Sequence, residues 1–331
     1  MQFDTKRRDF ITLLGGAASA WPLAARAQPK KMRRVGVLSP LAADDPEMQA
    51  RLAAFRQGLE RLGWSDERNI HIDIRYARPI AQAPGLAKEL VALQPDVILA
   101  QATPITAALQ RETRTIPIVF VLVSDPIGSG FVASLARPGG NVTGLLNVEA
   151  SIAGKWLAML KEIAPNVSRA ALVANPKTTP YDYFLRAGEM IAPLLAIELV
   201  PSRIESAADI ERAINSFADT PNGGMILPPD TSTTLHRDLI ISLAAQHRLP
   251  AVYSDRALVA AGGLISYGPD RVVQFEQAAA YIDRILRGYK PADLPVQTPT
   301  KFQTALNLKT AKKLGLTVPP GLLVAADEVI D

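Results

Sequence analysis

No cysteine occurs anywhere in the 331 residues, which excludes a disulfide framework, a thiolate metal site and a lipid anchor on a cysteine. Histidine is scarce as well: His71, His236 and His247 stand alone, none with a partner at metal-ligand spacing. There is no G-x-S-x-G elbow and no G-x-x-x-x-G-K-[ST] loop, so the usual marks of a serine nucleophile and of nucleotide-driven catalysis are missing. Asp44-Asp45 and Asp327-Glu328 read as loop or helix-end charges, not as an acid–base pair. The apolar stretch at 11–20 is rich in Gly and Ala and too short for a bilayer, which needs about 20 residues. The expectation is a chain that is not an enzyme and has no metal and no cofactor.

What is present begins with a leader. Lys6-Arg7-Arg8 precedes that apolar stretch, and Ala25-Arg26-Ala27 supplies a small-residue cleavage site. These are, in order, the three parts of a bacterial twin-arginine signal peptide. They predict cleavage after Ala27 and a soluble periplasmic mature chain that is not embedded in the membrane. Without residues 1–27 the formal charge falls from +4 to +2, because Lys6, Arg7, Arg8 and Arg26 leave together with Asp4 and Asp9. Nucleic acid thereby loses its electrostatic case, and Lys30, Lys31, Arg33 and Arg34 read as a solvated tail.

The length of the mature chain suggests two domains on a prior of roughly 100–200 residues each. An apolar content of 48% with 21% charged residues allows two cores. Short β-branched runs alternate with amphipathic stretches, the pattern of parallel sheets covered by helices. Strands are predicted at 35–39, 70–76, 97–100, 118–123 and 142–145, then in a second series at 170–174, 197–201, 224–227, 251–254 and 264–267. Segment 47–62 carries Leu52, Phe55, Leu59 and Leu62 at helical spacing and stops at Gly63. Ile70, Ile72, Ile74 and Tyr76 alternate with polar residues, which predicts an edge strand. The two series echo each other. Ile116-Pro117-Ile118-Val119-Phe120 runs to Ser124-Asp125, and Leu249-Pro250-Ala251-Val252-Tyr253 runs to Ser254-Asp255. Two similar lobes are the economical reading; chance similarity of short buried strands is the other.

In open parallel sheets, ligands bind beyond the carboxyl ends of the strands, beside helix N-termini. The polar residues at those ends form the candidate ligand-binding set. They are Ser39, Gln101, Ala102, Thr103, Ser124 with Asp125, and Asn147 in the first series and Asn175, Asp230 and Asp255 in the second, with Tyr181 and Tyr267 nearby. Thr103 before Pro104 reads as an N-cap, and the same helix start suits a ligand carboxylate. Asp230 and Asp255 suit either an ammonium group or the cap of the following helix. Of Tyr181 and Tyr183, only one is expected at the cleft. Gly128-x-Gly130-x-x-Ala133 with Glu149 fits a dinucleotide fingerprint by letter, yet Asp125 and Pro126 separate it from the preceding strand.

The segments Ile116-Pro117-Ile118-Val119-Phe120, Ser124-Asp125-Pro126-Ile127-Gly128, Arg137-Pro138-Gly139-Gly140-Asn141-Val142-Thr143-Gly144 and Asn307-Leu308-Lys309-Thr310-Ala311-Lys312-Lys313-Leu314-Gly315-Leu316 resemble the ABC transporter substrate-binding proteins of the tryptophan/tyrosine-binding type. The tail Val318-Pro319-Pro320-Gly321-Leu322-Leu323 continues the match. The resemblance implies an α/β fold of the type I periplasmic-binding-protein kind. That fold has two Rossmann-like lobes with parallel-type sheets flanked by helices, joined by three crossovers. The lobes are expected at 34–147 plus 267–294 and at 148–266 plus 295–331, with hinges near 147–151, 266–268 and 295–300. The resemblance places the strand-end residues in the family's cleft-lining loops, while Ser39-Pro40-Leu41-Ala42-Ala43 shows no aromatic or charged selector. It implies a monomeric receptor that closes on a small carboxylate-bearing ligand, an amino acid or an aromatic carboxylate. The partner implied is an inner-membrane ABC permease. The alternatives are an exported α/β enzyme, for which the strand-end set offers no nucleophile and base, and a receptor for a membrane sensor.

Overall fold

The computed structural model describes residues 32–331, so the leader and its expected cleavage after Ala27 lie outside the described residues. Strands β1 (Arg33–Ser39), β2 (Ile70–Tyr76), β3 (Val97–Gln101), β4 (Ile118–Val123) and β5 (Val142–Leu146) form an all-parallel sheet in the order β2-β1-β3-β4-β5. β2 stands at the edge, as its alternating pattern predicts, and is half-buried along most of its length. The apolar runs of β3, β4 and β5 are buried throughout because helices cover both faces.

The helices, in chain order, are α1 (Pro46–Arg61), α2 (Ala83–Ala92), α3 (Thr103–Glu112), α4 (Ile152–Ile163), α5 (Tyr181–Ile191), α6 (Ala207–Ala218), α7 (Thr231–Leu235), α8 (Arg237–Gln246), α9 (Arg256–Ala260), α10 (Arg271–Leu286), α11 (Leu308–Lys313) and α12 (Pro320–Ala325). α1 starts where Asp45 accepts hydrogen bonds from the N–H groups of Glu47 and Met48, with Pro46 in the first turn. Its stripe of Met48, Leu52, Phe55 and Leu59 packs with Phe275, Ala278, Ala279 and Ile282 of α10. The two helices touch at Gly58, where a Cβ would lie 2.8 Å from Ala279 Cβ and 2.9 Å from the Glu276 carbonyl oxygen. No larger residue fits there without parting them. α2 and α3 cover the opposite face with Ala87, Leu90, Ala108 and Leu109.

The second sheet contains β6 (Arg169–Ala174), β7 (Glu198–Arg203), β8 (Gly223–Leu227), β9 (Ala251–Tyr253), β10 (Ile265–Pro269), β11 (Phe302–Asn307) and β12 (Glu328–Ile330). Their order is β12-β11-β10-β9-β8-β6-β7, parallel except where β10 meets β11. α4 and α5 pack on one face around Trp156 and Phe184, and α6, α8 and α9 on the other. The Trp156 indole N–H donates to the Tyr267 carbonyl at 2.7 Å, tying α4 to β10.

β11 and β12 are absent from the sequence expectation. Phe302-Gln303-Thr304-Ala305-Leu306-Asn307 contains a single β-branched residue, and β12 is three residues long. Pairing of β11 with β10 and of β12 with β11, not local propensity, makes them strands. The chain passes between the sheets at 147–151, at Asp270 and at 298–301. The last two crossings lie beyond the expected boundaries. Tyr267, Gly268 and Pro269 pair with Thr304, Gln303 and Phe302 and so stay in the second sheet. Gln297 exchanges backbone hydrogen bonds with Gly144 and Leu146 and so stays with the first.

Candidate functional site

The carboxyl ends of both sheets face a narrow pocket between the lobes, where ligands of open parallel sheets sit. From the first lobe Gln101, Thr103, Ser124 and Asn147 line it, with Leu41 and Leu122 as apolar wall. Gln101 is fixed from behind. Its Oε1 accepts from the Ser39 hydroxyl at 3.0 Å, and that hydroxyl oxygen accepts the Leu41 N–H at 3.1 Å. Ser39 is fully buried and positions Gln101 without itself lining the pocket.

Ala102 is the N-cap of α3 at φ +77°, and no side chain caps this helix. Thr103 is therefore not the expected cap but the first helical residue, followed by Pro104, and it lines the pocket beside the first N–H groups of α3. Leu122 and Asp125 also adopt positive φ, +57° and +48°, where β4 slips register against β5. Three non-glycine residues in such regions cost on the order of 1–3 kcal/mol each and concentrate where a ligand-holding backbone is over-determined by its surroundings.

From the second lobe come Thr178, Thr179, Asp230, Thr231 and Thr234. Asp230 is the N-cap of α7, accepting from the N–H groups of Ser232 at 3.2 Å and Thr233 at 3.1 Å. It also accepts from the Asn175 N–H at 3.1 Å and from the Thr178 hydroxyl. Burial pushes its carboxyl above the ordinary range in spite of these four donors. Of the two roles open to Asp230 on sequence grounds, the structure shows the cap. Asn175 accepts the Lys177 N–H at 2.9 Å and closes the turn that brings Thr178 and Thr179 to the pocket.

Two guanidiniums complete the wall: Arg51 on α1, 1% exposed, and Arg271 at the start of α10, 8% exposed. Both reach Asp255 of the second lobe, with Arg271 Nη1 at 2.7 Å and Arg51 Nη2 at 3.6 Å from Oδ2. Arg51 also lies 3.4 Å from Glu47. Burial by itself would raise the Asp255 carboxyl; the charges of Arg271 and Arg51 reverse this and hold it below the usual range. Asp255 further caps α9 through the Ala257 N–H at 3.1 Å. Two more ion pairs cross between the lobes, Asp45 with Arg237 at 3.4 Å and Glu47 with Arg256 at 3.7 Å.

Gln101, Ala102, Thr103, Asn147 and Asp230 thus meet at the pocket, while Ser39, Asn175 and Asp255 stand one layer behind it. Asp125, Tyr181 and Tyr267 are elsewhere. Asp125 accepts the Gly128 N–H at 2.8 Å and closes its own turn. Tyr181 opens α5 on the side facing β6 and β7, donating to the Leu172 carbonyl at 2.7 Å and accepting the Ser202 N–H at 2.8 Å. Burial raises its phenol to about 12. Tyr267 stacks on Phe302 with ring centroids 5.5 Å apart. Tyr183 does not line the pocket either.

Arg51, Arg271 and the threonines at 178, 179, 231 and 234 are missing from the sequence-derived set. For the arginines a signal exists: Arg51 shares the helical stripe of Met48, Leu52 and Phe55, and Arg271 that of Gln274, Phe275 and Ala278. A charge on the core side of a helix needs a buried partner. The threonines sit in loops and a short helix whose course depends on the tertiary fold.

The Gly128–Ala133 segment forms turns and opens no helix, so the dinucleotide pattern lacks the helix start that holds a pyrophosphate. Asp66, Glu67 and His71 bring ligand atoms within 4.8 Å of one another, but at the amino end of β2, away from the pocket. Among the described residues no helix is long and apolar enough to cross a membrane.

A family model described as ABC transporter substrate binding protein matches residues 34–330. The tyrosine-binding protein of Clostridioides difficile (strain R20291) is 25% identical over 291 residues, 87% of this chain and 82% of that relative. The crystal structure of an ABC domain from Streptococcus pneumonia in complex with L-Trp superposes with a TM-score of 0.84 at 25% identity, covering 90% of this chain and 99% of the other. A conserved domain protein from Vibrio cholerae O1 biovar eltor has the same TM-score, 0.84, at 29% identity, over 90% of this chain and 100% of its own.

Proposed function

The chain belongs to the ABC transporter substrate binding protein family, and on that footing we propose that it works in the periplasm, after export by its twin-arginine leader, as a monomeric receptor for a small carboxylate-bearing molecule. It closes on that molecule and presents it to an inner-membrane permease. The observation that carries this reading is the composition of the pocket, to which each lobe contributes polar side chains: Gln101, Thr103 and Asn147 from one, Thr178, Asp230 and Thr231 from the other. A ligand held from both sides stabilises only the closed arrangement, so binding shifts the open–closed population and a partner can read the change.

The uncapped start of α3 and the guanidiniums of Arg51 and Arg271 supply the donors that carboxylates bind. The ligands named for the relatives, tyrosine and L-Trp, both bear a carboxylate. The hinges of the movement are the three interlobe crossings at 147–151, 270 and 298–301. Thermal unfolding of the leaderless chain against aliphatic and aromatic amino acids, aromatic carboxylates and sugars tests the reading. A ligand at about 100 times its Kd should stabilise by about 2.7 kcal/mol. Stabilisation by a carboxylate that is recovered unchanged is expected; a response confined to neutral sugars, or turnover of the compound, overturns the proposal.

A further inference from the structure

We infer that the ligand is an acid whose other polar groups are uncharged, a hydroxy or oxo carboxylate, and not a zwitterionic amino acid. The inference rests on the receptor reading and narrows it from the side chains of this pocket.

The pocket is equipped for a negative charge. Arg51 and Arg271 are nine-tenths or more buried, line the pocket, and each has an Nε–H with no hydrogen-bond partner among the described residues. A guanidinium offers five N–H donors in a planar fork. Asp255 makes one short contact with Arg271, and the contacts of Arg51 with Asp255 and Glu47 are long, 3.6 and 3.4 Å. Donor capacity is therefore left over where a carboxylate oxygen fits.

It is not equipped for a positive one. The carboxylate of Asp230, which lines the pocket, already accepts from Ser232, Thr233, Asn175 and Thr178. Asp255 does not line the pocket; its Oδ2 has no hydrogen-bond partner among the described residues but is held in ionic contact by Arg271 at 2.7 Å and Arg51 at 3.6 Å. An ammonium group buried without a free carboxylate carries a desolvation cost that neutral acceptors do not offset. What remains is neutral: the Ser124 hydroxyl and the Asn147 Oδ1 are buried, line the pocket and have no partner among the described residues. An unpaired carbonyl oxygen beside an unpaired hydroxyl matches a ligand hydroxyl, which both donates and accepts. Leu41 and Leu122 supply the apolar wall, and no aromatic ring lines the pocket among the described residues.

Calorimetric titration of the leaderless chain with matched pairs tests this: lactate against alanine, malate against aspartate, phenyllactate against phenylalanine, indolelactate against tryptophan. In at least one pair the hydroxy acid should bind about tenfold tighter or more than its amino counterpart, the size expected when a charged group is left unpaired in the site. The methyl ester of that hydroxy acid should lose at least the same factor, a comparison that requires no variant and no question of folding. Arg51→Lys, which keeps the charge but not the fork, should weaken the acid more than the ester. Equal or tighter binding of the amino acid in every pair that binds overturns the inference and leaves the receptor reading intact, whereas equal binding of acid and ester overturns the carboxylate requirement in both. If no member of any pair binds, the carboxylate receptor reading fails and the inference with it.

Discussion

Arg271 and Asp255 stand in different lobes, yet the guanidinium Nη1 and the carboxylate Oδ2 are 2.7 Å apart with both side chains buried. Because it joins the two lobes, under the proposed hinge closure it should favour the closed state and not either lobe's own fold. A carboxyl held below its ordinary value favours the state that holds it at every pH above that value, about 4, and loses the effect as pH falls through the lowered value. The lowered Asp255 carboxyl thus predicts ligand affinity that is insensitive to this group between about pH 5 and 8 and falls below about pH 4. Asp255→Asn keeps a capping oxygen for Ala257 but removes the charge. It should weaken binding about tenfold, or about 1.4 kcal/mol, and flatten the acid limb. Titration at several pH values reads both effects, and an unchanged limb in the variant contradicts the assignment.

Asp230 predicts a different outcome. Its four donors include the cap of α7 and the turn at Asn175. Asp230→Ala should lower folding stability by about 2 kcal/mol, from a lost cap and unpaired buried donors. Ligand affinity should fall as a consequence of the displaced Thr178 and Thr179. Urea unfolding beside titration checks the order of effects; weaker binding at full stability would make Asp230 a direct ligand contact.

Thr103 is the converse case. Because its hydroxyl caps nothing and Ala102 holds the N-cap position, Thr103→Ala should leave folding within about 0.5 kcal/mol of the parent. It should remove one ligand hydrogen bond, about 1 kcal/mol. Unaltered affinity in this variant would move the ligand away from the start of α3.

Tyr181→Phe should do the opposite: no change in ligand affinity, with about 1–3 kcal/mol of stability lost as the Leu172 carbonyl and Ser202 N–H lose their shared partner. Titration and unfolding of the same preparation separate the two readouts. Any loss of affinity larger than the loss of stability would place Tyr181 in the binding machinery after all.

The strands were the legible part of the chain because their signal is local. Six consecutive apolar residues in β4 and the strict alternation of β2 declare themselves without reference to neighbours. β11 has no such pattern and exists through its antiparallel partner. The strand-end rule located the pocket, and Gln101, Thr103, Asn147 and Asp230 do line it. It did not distinguish a residue that faces inward from one that faces its own lobe, which is how Tyr181 and Tyr267 entered the candidate set. Arg51 and Arg271 were hidden for a further reason: they lie on helices, Arg51 a full turn inside its helix and Arg271 just past the cap at Asp270, and only the packing of α10 on α1 brings them beside Gln101.

That packing also orders the assembly of the molecule in time. α10 lies in sequence after most of the second lobe, yet its Phe275, Ala278, Ala279 and Ile282 complete the first core against Phe55 and Leu59. A nascent chain that has emerged only to residue 147 holds all five strands of the first sheet, with one face covered by α1 alone. The lobe begun first is completed only after most of the second has been made, and a fragment ending before Leu286 should be a client for chaperones where the whole chain is not.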